Sequence, residues 1–307
     1  MLHHCQEVTR KIHEDERSVA SLRDVSRFVT IFEWSVEHWH HFETSWPSRQ
    51  SHNTICAEIS FNSAARELVT SSIAIAVLFC YYSRLTFSQR RTFLNQMLKL
   101  IAPSNMHDCV RDVWKSRESW QGKVDRVQNH VVEAMKLGSG IARNSALKEN
   151  VLMLFVAIMS RTPIVVVGKP GSSKSLAMSL IRQSMRGAES RGPLSKFPAV
   201  AVFSYQCSPL STSSGIEKVF SLANQTETGD EVGSTDTHTV QVILLDEIGL
   251  AEQSPHLPLK VLHKLLDERR GRVAVVGLSN WALDPAKMNR AVHLFRPAPS
   301  EVDLSNT

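Results

Sequence analysis

The chain has 307 residues, of which 42% are hydrophobic and 21% are charged, and its formal net charge is +5. This length predicts about two domains, and the composition is typical of a globular protein. Because the basic residues are dispersed, we interpret their densest cluster, residues 269–272, as a solvated turn and expect no nucleic-acid partner. The five cysteines lie far apart and form no C-x-x-C pair. Their spacing argues against a zinc module or a disulfide framework and favours free thiols in the cytoplasm.

The apolar segments are too short to indicate targeting to a membrane. Residues 1–5 contain no apolar signal core. The longest apolar run, Ile73 to Tyr82, has ten residues, whereas a helix needs about 20 to cross a bilayer. We therefore predict a buried helix at this run and no transmembrane segment.

The N-terminal part of the chain has the periodicity of a helical domain. Ser21 and Asp24 have the spacing of a capping box at the start of a helix. Further helices are predicted over residues 64–82 and 90–101, with Pro103 ending the second. The apolar residues that follow the capping box recur at helical spacing: Leu22, Val25, Val29 and Phe32.

Two aromatic-rich stretches in this part have structural interpretations. Residues 38–41, His-Trp-His-His, lack the carboxylate or cysteine that would complete a metal site, so we interpret them as an exposed helix end. Trp114 and Trp120 are predicted to be packing anchors. The turn signal Gly138-Ser139-Gly140 marks the expected end of this domain, which would span residues 1–138.

The second domain, residues 139–307, alternates helices with strands. An amphipathic helix over 147–158 is expected to lead into the first strand, and the polar stretch 221–239 is interpreted as a surface loop. The apolar runs that predict strands are 163–168, 199–205, 240–245, 273–278 and 291–295. This alternation predicts a doubly wound, five-stranded parallel α/β sheet.

The first strand runs into a glycine-containing loop that ends in Lys-Ser and precedes a helix. The loop is Gly168-Lys169-Pro170-Gly171-Ser172-Ser173-Lys174-Ser175, and Leu176 begins the helical run. A phosphate-binding loop requires this strand–loop–helix context. Its backbone N–H groups and the helix N-terminus would hold phosphate. Lys174 would reach the β- and γ-phosphates, and the Ser175 hydroxyl would ligate Mg²⁺.

Ser173 departs from the general pattern G-x-x-x-x-G-K-[ST], which has glycine at that position. Glycine lets the backbone approach phosphate closely, whereas serine keeps the N–H but adds a side chain. An ordinary turn between a buried strand and a helix is the alternative interpretation of the loop.

A second strand candidate, 240–245, ends in Asp246-Glu247. The carboxyl ends of parallel strands meet at one edge of a sheet, so Asp246 would hold the same Mg²⁺ through water. Glu247 suits the general base that polarises an attacking water. An acidic turn after a core strand is the alternative. The loop and this strand together predict binding of ATP and Mg²⁺.

Two further polar residues follow the fourth strand candidate. Asn280 suits a residue that holds the attacking water or senses the γ-phosphate, although Ser-Asn is also ordinary turn chemistry. Arg290, near the end of an expected short helix, could stabilise transition-state charge at a neighbouring subunit's ATP. A surface arginine near a helix C-terminus is the alternative.

Three segments resemble one known family: GKPGSSKSLA at 168–177, LDEIGLAE at 245–252 and SNWALDPAKMNR at 279–290. They closely resemble the mysterin family of giant AAA+ ring finger proteins, which act as E3 ubiquitin ligases. That family has its own version of the loop with serine at the place of Ser173. The resemblance implies a P-loop AAA+ core in which Asp246 and Glu247 are the second acidic motif, Asn280 is the first sensor and Arg290 is the candidate arginine finger.

The N-terminal half resembles the lid domain of large concatenated AAA+ proteins, including mysterin, midasin and dynein. Ser21 to Arg27 matches the lid helix, and Arg23 matches its second-sensor arginine. Because a lid follows its own core in sequence, the resemblance implies that Arg23 serves the preceding module's nucleotide. The chain would then be a fragment that joins neighbouring AAA+ modules. A ubiquitin-conjugating enzyme and ubiquitin would be partners of the full-length protein, whose RING and zinc-binding finger are not expected in these residues.

Three functional hypotheses follow. The first is an ATP-hydrolysing AAA+ module within an E3 ligase, and the second is a nucleotide-bound scaffold or switch that does not hydrolyse ATP. Glu247 and Asn280 favour the first, because a degenerate module would often have lost them. The third is a mechanical motor like midasin or dynein. The amino-acid sequence from Trp281 to Arg290 resembles mysterin more than these motors.

Overall fold

The computed structural model describes residues 1–12, 21–42, 63–101, 105–229, 239–268, 273–284 and 290–296. The chain divides into two compact units, Met1–His130 and Val131–Thr307. Three features singled out in the sequence lie outside the described residues: Cys56, Pro103 and the predicted turn at 269–272. The other cysteines are free, as predicted, and they are all buried: Cys5, Cys80, Cys109 and Cys207.

Among its described residues, the first unit is helical. The helices are Leu2–Ile12 (α1), Leu22–His38 (α2), Ser63–Cys80 (α3), Phe87–Ile101 (α4), Asp108–Val113 (α5) and Arg117–Ala134 (α6). Both further helices predicted in this part are confirmed as α3 and α4. The two units divide within α6, ahead of the turn at Ser139 and Gly140. The assignment of residues 1–138 to the lid of a preceding module stays a prediction.

The start of α2 is stabilised by a buried carboxylate. The backbone N–H of Ser21 donates to Asp24 Oδ2 at 2.8 Å, as the predicted capping box requires. The other carboxylate oxygen, Oδ1, accepts hydrogen bonds from Arg27 Nη1 at 2.9 Å and from Arg84 Nη1 at 3.0 Å. Asp24 is 1% exposed, so these arginines compensate a charge that water cannot reach.

The buried triad of Asp24, Arg27 and Arg84 also decides which face of α2 packs on the core. Asp24 and Arg27 are buried together with neighbouring apolar residues such as Phe28 and Ile31. Of the four apolar residues that the spacing singled out, Leu22 and Val29 are 82% and 42% exposed, whereas Val25 and Phe32 are half-buried. The helix is confirmed, but apolar periodicity alone identified its buried face only in part.

Helix α3 is the centre of the first unit. Every residue from Leu68 to Cys80 is buried, which confirms the helix predicted at the longest apolar run. The segment Ser63–Arg84 is long and apolar enough to cross a membrane by length and composition, yet 72% of its most apolar window is buried inside the protein. A buried core helix can be as long and as apolar as a membrane span, so this property alone is weak evidence for a membrane.

Stacked aromatic rings form part of the core of this unit. Trp114 and Trp120 are both buried, and their rings stack with centroids 4.6 Å apart. Tyr82 packs edge-on against Trp120 at 5.2 Å. Each such pair contributes about 0.5–1.5 kcal/mol beyond its burial. Both tryptophans are therefore packing anchors, as predicted.

The histidine-rich stretch at the end of α2 is less exposed than predicted. The helix ends at His38, and a 3₁₀ turn, Trp39–Phe42, follows. Trp39 is fully buried and its ring lies 4.8 Å from that of Phe42. The histidines of this stretch are half-buried. The prediction of a helix end is right, but the turn packs Trp39 into the core instead of exposing it.

The second unit is built on five parallel strands. They are Ile164–Gly168 (β1), Ala199–Gln206 (β2), Thr239–Asp246 (β3), Ala274–Ser279 (β4) and Val292–Arg296 (β5). Their order across the sheet is β2-β3-β4-β1-β5, and every adjacent pair is parallel. The predicted parallel α/β sheet is confirmed. Each strand begins and ends within one residue of the predicted position. This order places the end of β1 between the ends of β4 and β5.

One helix precedes β1 and others lie between later strands, and two predictions about these helices are corrected. The helices are Ser145–Met159 (α7), Lys174–Ser184 (α8), Ser213–Gly229 (α9), Ile248–Glu252 (α10) and Val261–Glu268 (α11). The helix predicted over 147–158 is present as α7, but it is buried continuously from Glu149 to Ile158, so it is not amphipathic. Part of the predicted loop at 221–239 is helical, because Phe220 and Ala223 anchor α9 in the core; residues 230–238 lie outside the described part.

Candidate functional site

The loop between β1 and α8 requires unusual backbone angles at two positions. Gly171 has φ +83°, and Ser173 has φ 59° and ψ 22°. Ser173 therefore occupies the left-handed region, which costs about 1–2 kcal/mol for a residue with a Cβ. This geometry accounts for the glycine of the general motif at this position. Serine is accommodated here at the expense of local strain.

Gly168, the last residue of β1, has no room for a side chain. A Cβ at Gly168 would lie 2.6 Å from Arg296 Cβ and 2.8 Å from Ser172 Oγ. The parallel register pairs Gly168 directly with Arg296 at the end of β5. Glycine is therefore needed at this position because a neighbouring strand and the loop itself approach the backbone closely.

Lys174 is folded down into the loop at the start of α8. Its Nζ donates to the carbonyl oxygen of Gly168, to that of Lys169 at 3.1 Å and to Ser172 Oγ at 3.2 Å. The side chain is largely buried, since Lys174 is only 7% exposed. Among the described residues, no carboxylate forms an ion pair with it. Burial lowers the pKa of Lys174, and the charges of Asp246 and Glu247 oppose that shift.

Lys174 is buried, but residues on either side of it in the loop and in the first turn of α8 are accessible to a ligand. Lys169, Pro170 and Gly171 form the exposed crest of the loop, and Ser175 and Leu176 are exposed on the first turn of α8. Ser175 and Asp246 line one pocket of about 170 Å³, which Arg182 and Leu278 also border. The hydroxyl and the carboxylate that were predicted to share a cation therefore face the same space.

Asp246 and Glu247 lie at the end of β3 on the same edge of the sheet. The backbone N–H of Glu247 donates to Asp246 Oδ1 at 3.0 Å. Glu247 itself has φ 49° and ψ 41°, a left-handed conformation for a residue that is not glycine. Strain of this kind, of order 1–3 kcal/mol, occurs often at functional sites. Both side chains are half-buried, so their carboxylates remain reachable.

Asn280 follows β4, and its position is set by the sheet register. Val167 pairs with Ser279, so Asn280 is level with Gly168 at the start of the loop. Ser279 Oγ donates to the Trp281 carbonyl at 2.6 Å and fixes the turn. A Cβ on Gly249 of α10 would lie 2.7 Å from Ser279 Oγ. Sequence reasoning missed this contact, whose only signal is a glycine inside a helix.

Arg290 is tied to the second unit's own helix α11. Its Nε donates to Asp267 Oδ2 at 2.7 Å, and its Nη1 contacts His263 Nδ1. The expected short helix before Arg290 is not formed at 281–284, and residues 285–289 lie outside the described part. Arg23 belongs to the first unit, where it is exposed on the first turn of α2.

Sequence reasoning also missed two buried residues that contact the loop. Asn150 Nδ2 donates to the Ser172 carbonyl at 2.8 Å, and Arg296 Nε donates to Asn150 Oδ1 at 2.7 Å. The available signal was the polar pair Glu149-Asn150 inside an otherwise apolar helix, because buried polar residues need partners. The structure thus gathers the loop, Asp246, Glu247 and Asn280 at one sheet edge.

Comparison with known proteins agrees with this arrangement. The family model described as the RNF213 AAA domain matches residues 140–303, just over half of the chain. The chain is 35% identical to human E3 ubiquitin-protein ligase RNF213 over 300 residues and 37% identical to zebrafish E3 ubiquitin-protein ligase rnf213-beta over 303 residues. The mouse RNF213 is 34% identical over 300 residues.

Each of these alignments covers 95% of the chain but only 5% or 6% of the relative's length. The similarity therefore includes the helical first unit as well as the sheet. Together with the five-stranded parallel sheet and the loop between β1 and α8, these matches show that the chain belongs to the mysterin (RNF213) family, of which it contains an AAA domain.

Proposed function

We propose that this AAA+ module binds ATP with Mg²⁺ and hydrolyses it. The observation that carries the proposal is Lys174, a buried cation surrounded by carbonyl and hydroxyl oxygens and paired with no carboxylate among the described residues. A buried charge is unfavourable unless an opposite charge compensates it. The phosphates of a nucleotide would supply that charge at the edge of the sheet where the loop lies.

The donor set around Lys174 fits a nucleotide with its metal. Backbone N–H groups from Gly171 to Ser175 would hold the phosphate oxygens at the N-terminus of α8. Ser175 would ligate Mg²⁺ directly, and Asp246 would hold it through water, since both line the same pocket. Mg²⁺ would neutralise phosphate charge and orient the phosphates.

The second part of the proposal, ATP hydrolysis, rests on Glu247 and Asn280. Glu247 would take a proton from the attacking water, and Asn280 would position that water or sense the γ-phosphate. The left-handed backbone of Glu247 supports this assignment, because strain of this kind in a residue that is not glycine occurs often at functional sites. Arg290 would act on the ATP of a neighbouring module, after release from Asp267.

The activity of the whole protein is also a proposal, because the chain spans so little of its relatives. Those relatives are named E3 ubiquitin-protein ligases. We propose that the module works inside such a ligase in the cytoplasm, beside other AAA+ modules of the same chain. Arg23 would serve the preceding module's nucleotide. A ubiquitin-conjugating enzyme and ubiquitin would be partners of the full-length protein.

One observation favours a second candidate, a nucleotide-bound switch without hydrolysis. Arg290 is paired with Asp267 within its own unit, so it would have to leave this ion pair before it could act at a neighbouring site. The switch would use the same loop and Lys174 but would need neither Glu247 nor Arg290. Membership of the mysterin family favours both candidates over a midasin-like or dynein-like motor.

Calorimetric titration of the 307-residue chain with Mg-ATP tests the binding proposal. Lys174→Ala should weaken ATP binding by about tenfold or more, because a charge-assisted contact to phosphate is lost. Lys218→Ala is the control, since Lys218 is exposed on α9 away from the loop. Equal affinities of the wild type and Lys174→Ala would remove the phosphate-loop assignment.

A further inference from the structure

We infer that Asn150 and Arg296 are positioning residues. From α7 and the end of β5, they hold the phosphate-binding loop in its binding conformation. This inference rests on the proposed ATP site. Asn150 is fully buried in α7. Its Nδ2 donates to the Ser172 carbonyl at 2.8 Å, and its Oδ1 accepts from Arg296 Nε at 2.7 Å. One amide thus connects the loop to the last residue of β5.

The chemistry of the partners fixes the orientation of this amide. A backbone carbonyl cannot donate, so the atom of Asn150 that faces Ser172 must be the Nδ2 donor. An arginine side chain cannot accept, so the atom that faces Arg296 must be the Oδ1 acceptor. A flipped amide would lose both hydrogen bonds. Asn150 is therefore held in one orientation, and it holds the Ser172 carbonyl in turn.

Arg296 is compensated on its other side by Glu149. Arg296 Nη1 donates to Glu149 Oε2 at 2.6 Å, and the side chains are 3% and 7% exposed. The Cβ of Arg296 also lies close to Gly168, because a Cβ added at Gly168 would be only 2.6 Å away from it. Arg296 therefore contacts the start of the loop directly and its middle through Asn150. The loop is held at Gly168 and at Ser172.

The contacts continue from Ser172 to Lys174. Ser172 Oγ donates to the Lys169 carbonyl at 2.7 Å and accepts from Lys174 Nζ at 3.2 Å. The residue that Asn150 fixes is thus in direct contact with the proposed phosphate-binding cation. A shift of Ser172 would move both the loop carbonyls and the lysine. Asn150 and Arg296 act through these residues and touch no phosphate themselves.

Fold stability alone does not require this arrangement. Helix α7 already buries a continuous set of apolar side chains, among them Leu154 and Phe155. Replacing a buried ion pair by well-packed apolar residues is often neutral or stabilising. The distinctive result of the polar network is a fixed direction for the Ser172 carbonyl. Its effect is therefore expected at the loop and in ATP affinity.

The test variant is Asn150→Asp, which has nearly the same shape but loses the Nδ2 donor. The new carboxylate would still accept from Arg296, while its other oxygen would face the Ser172 carbonyl and repel it. We expect the dissociation constant for Mg-ATP to rise by about tenfold to a hundredfold, because small misplacements of binding groups have effects of this size. Amide hydrogen exchange at residues 169–175 should become faster without nucleotide.

Asn224→Asp is the matched control. Asn224 Nδ2 donates to the Phe220 carbonyl at 2.7 Å within α9, so the same substitution removes the same kind of donor elsewhere in the unit. The control should leave ATP affinity and loop exchange unchanged. Arg296→Lys is a second variant that keeps a positive charge beside Glu149 but lacks the second donor for Asn150. It should weaken ATP binding in the same direction by a smaller factor.

Hydrogen exchange separates this inference from the proposed function. If the wild type did not bind Mg-ATP, the proposed function would fail, while exchange at 169–175 would still decide whether Asn150 positions the loop. Wild-type exchange in Asn150→Asp would overturn the inference. So would a uniform rise in exchange across β1, β5 and α7, because that pattern indicates general destabilisation. Faster exchange confined to the loop would support it.

Discussion

The two units each bury a basic side chain, but they balance its charge in different ways. In the first unit, Arg27 shares the Asp24 carboxylate with Arg84, and these two hydrogen bonds lie within the unit. In the second, the partners that Lys174 Nζ contacts in the described part of the chain are carbonyl and hydroxyl oxygens. Burial lowers the pKa of both Arg27 and Lys174. For Arg27 a hydrogen-bonded carboxylate opposes the shift, whereas for Lys174 the opposing carboxylates form no ion pair with it.

This difference separates a structural charge from a charge suited to a ligand. The Asp24 triad is complete, so its removal should damage the fold. No carboxylate of the described residues contacts Lys174, so removal of this charge should spare the fold and damage binding. The ion pair of Arg296 with Glu149 resembles the structural charge of the first unit. It is nevertheless connected, through Asn150, to the loop that contains Lys174. The predictions below test this contrast.

The largest effect on stability is expected from Asp24→Asn. The substitution leaves two buried guanidinium groups without their shared carboxylate, which should cost about 3–5 kcal/mol of unfolding free energy. Urea unfolding at neutral pH measures the loss. Asp125→Asn is the control, because Asp125 is exposed on α6, and it should change stability by about 0.5 kcal/mol or less. Equal effects of the two variants would show that the triad is not a stabilising charge cluster.

Glu247→Gln should separate nucleotide binding from hydrolysis. The amide cannot act as a base, so the ATP hydrolysis rate should fall by about 10²–10⁴-fold. ATP affinity should persist, because Lys174, Ser175 and Asp246 remain. The assay requires a longer protein that includes the neighbouring modules, with Glu217→Gln on the exposed face of α9 as control. A wild-type rate in Glu247→Gln would exclude Glu247 as the base and favour the switch without hydrolysis.

Lys174→Met should have little effect on stability, in contrast to Asp24→Asn. Loss of a desolvated charge offsets the loss of its hydrogen bonds to Gly168 and Lys169, so unfolding free energy should change by about 1 kcal/mol or less. Chemical unfolding without nucleotide gives the value. A loss as large as that of Asp24→Asn would mean that Lys174 is a structural charge, and it would remove the observation that carries the proposed function.

The smallest effect is expected at Ser173. Ser173→Gly relieves the left-handed strain, and the gain of about 1–2 kcal/mol is partly offset because glycine makes the unfolded chain more flexible. A net stabilisation of about 0.5–1 kcal/mol should appear in thermal unfolding. Ser173→Ala keeps the Cβ and the strain but removes the hydroxyl, so it should show no gain. A gain in Ser173→Ala would assign the effect to the hydroxyl.

The sequence by itself determined the sheet and the position of the loop. Strands such as 164–168 and 274–279 are short, apolar and β-branched, and turn residues end them, so local chemistry sets their bounds. The sequence placed Lys174 and Ser175 in the loop and helix that follow β1, and Asp246 and Glu247 at the end of β3, and parallel strands bring such ends to one edge. Capping at Ser21 is also local, because it involves residues three positions apart.

Only the tertiary structure decided which charges are buried together. Asp24 meets Arg84 and Asn150 meets Arg296 across long stretches of chain, and no spacing in the sequence encodes those pairs. The same limitation explains why α2 packs through Asp24 and Arg27 and not through Leu22. A charged residue becomes a core residue only when its partner arrives from another element, since an isolated buried charge is too unfavourable to persist.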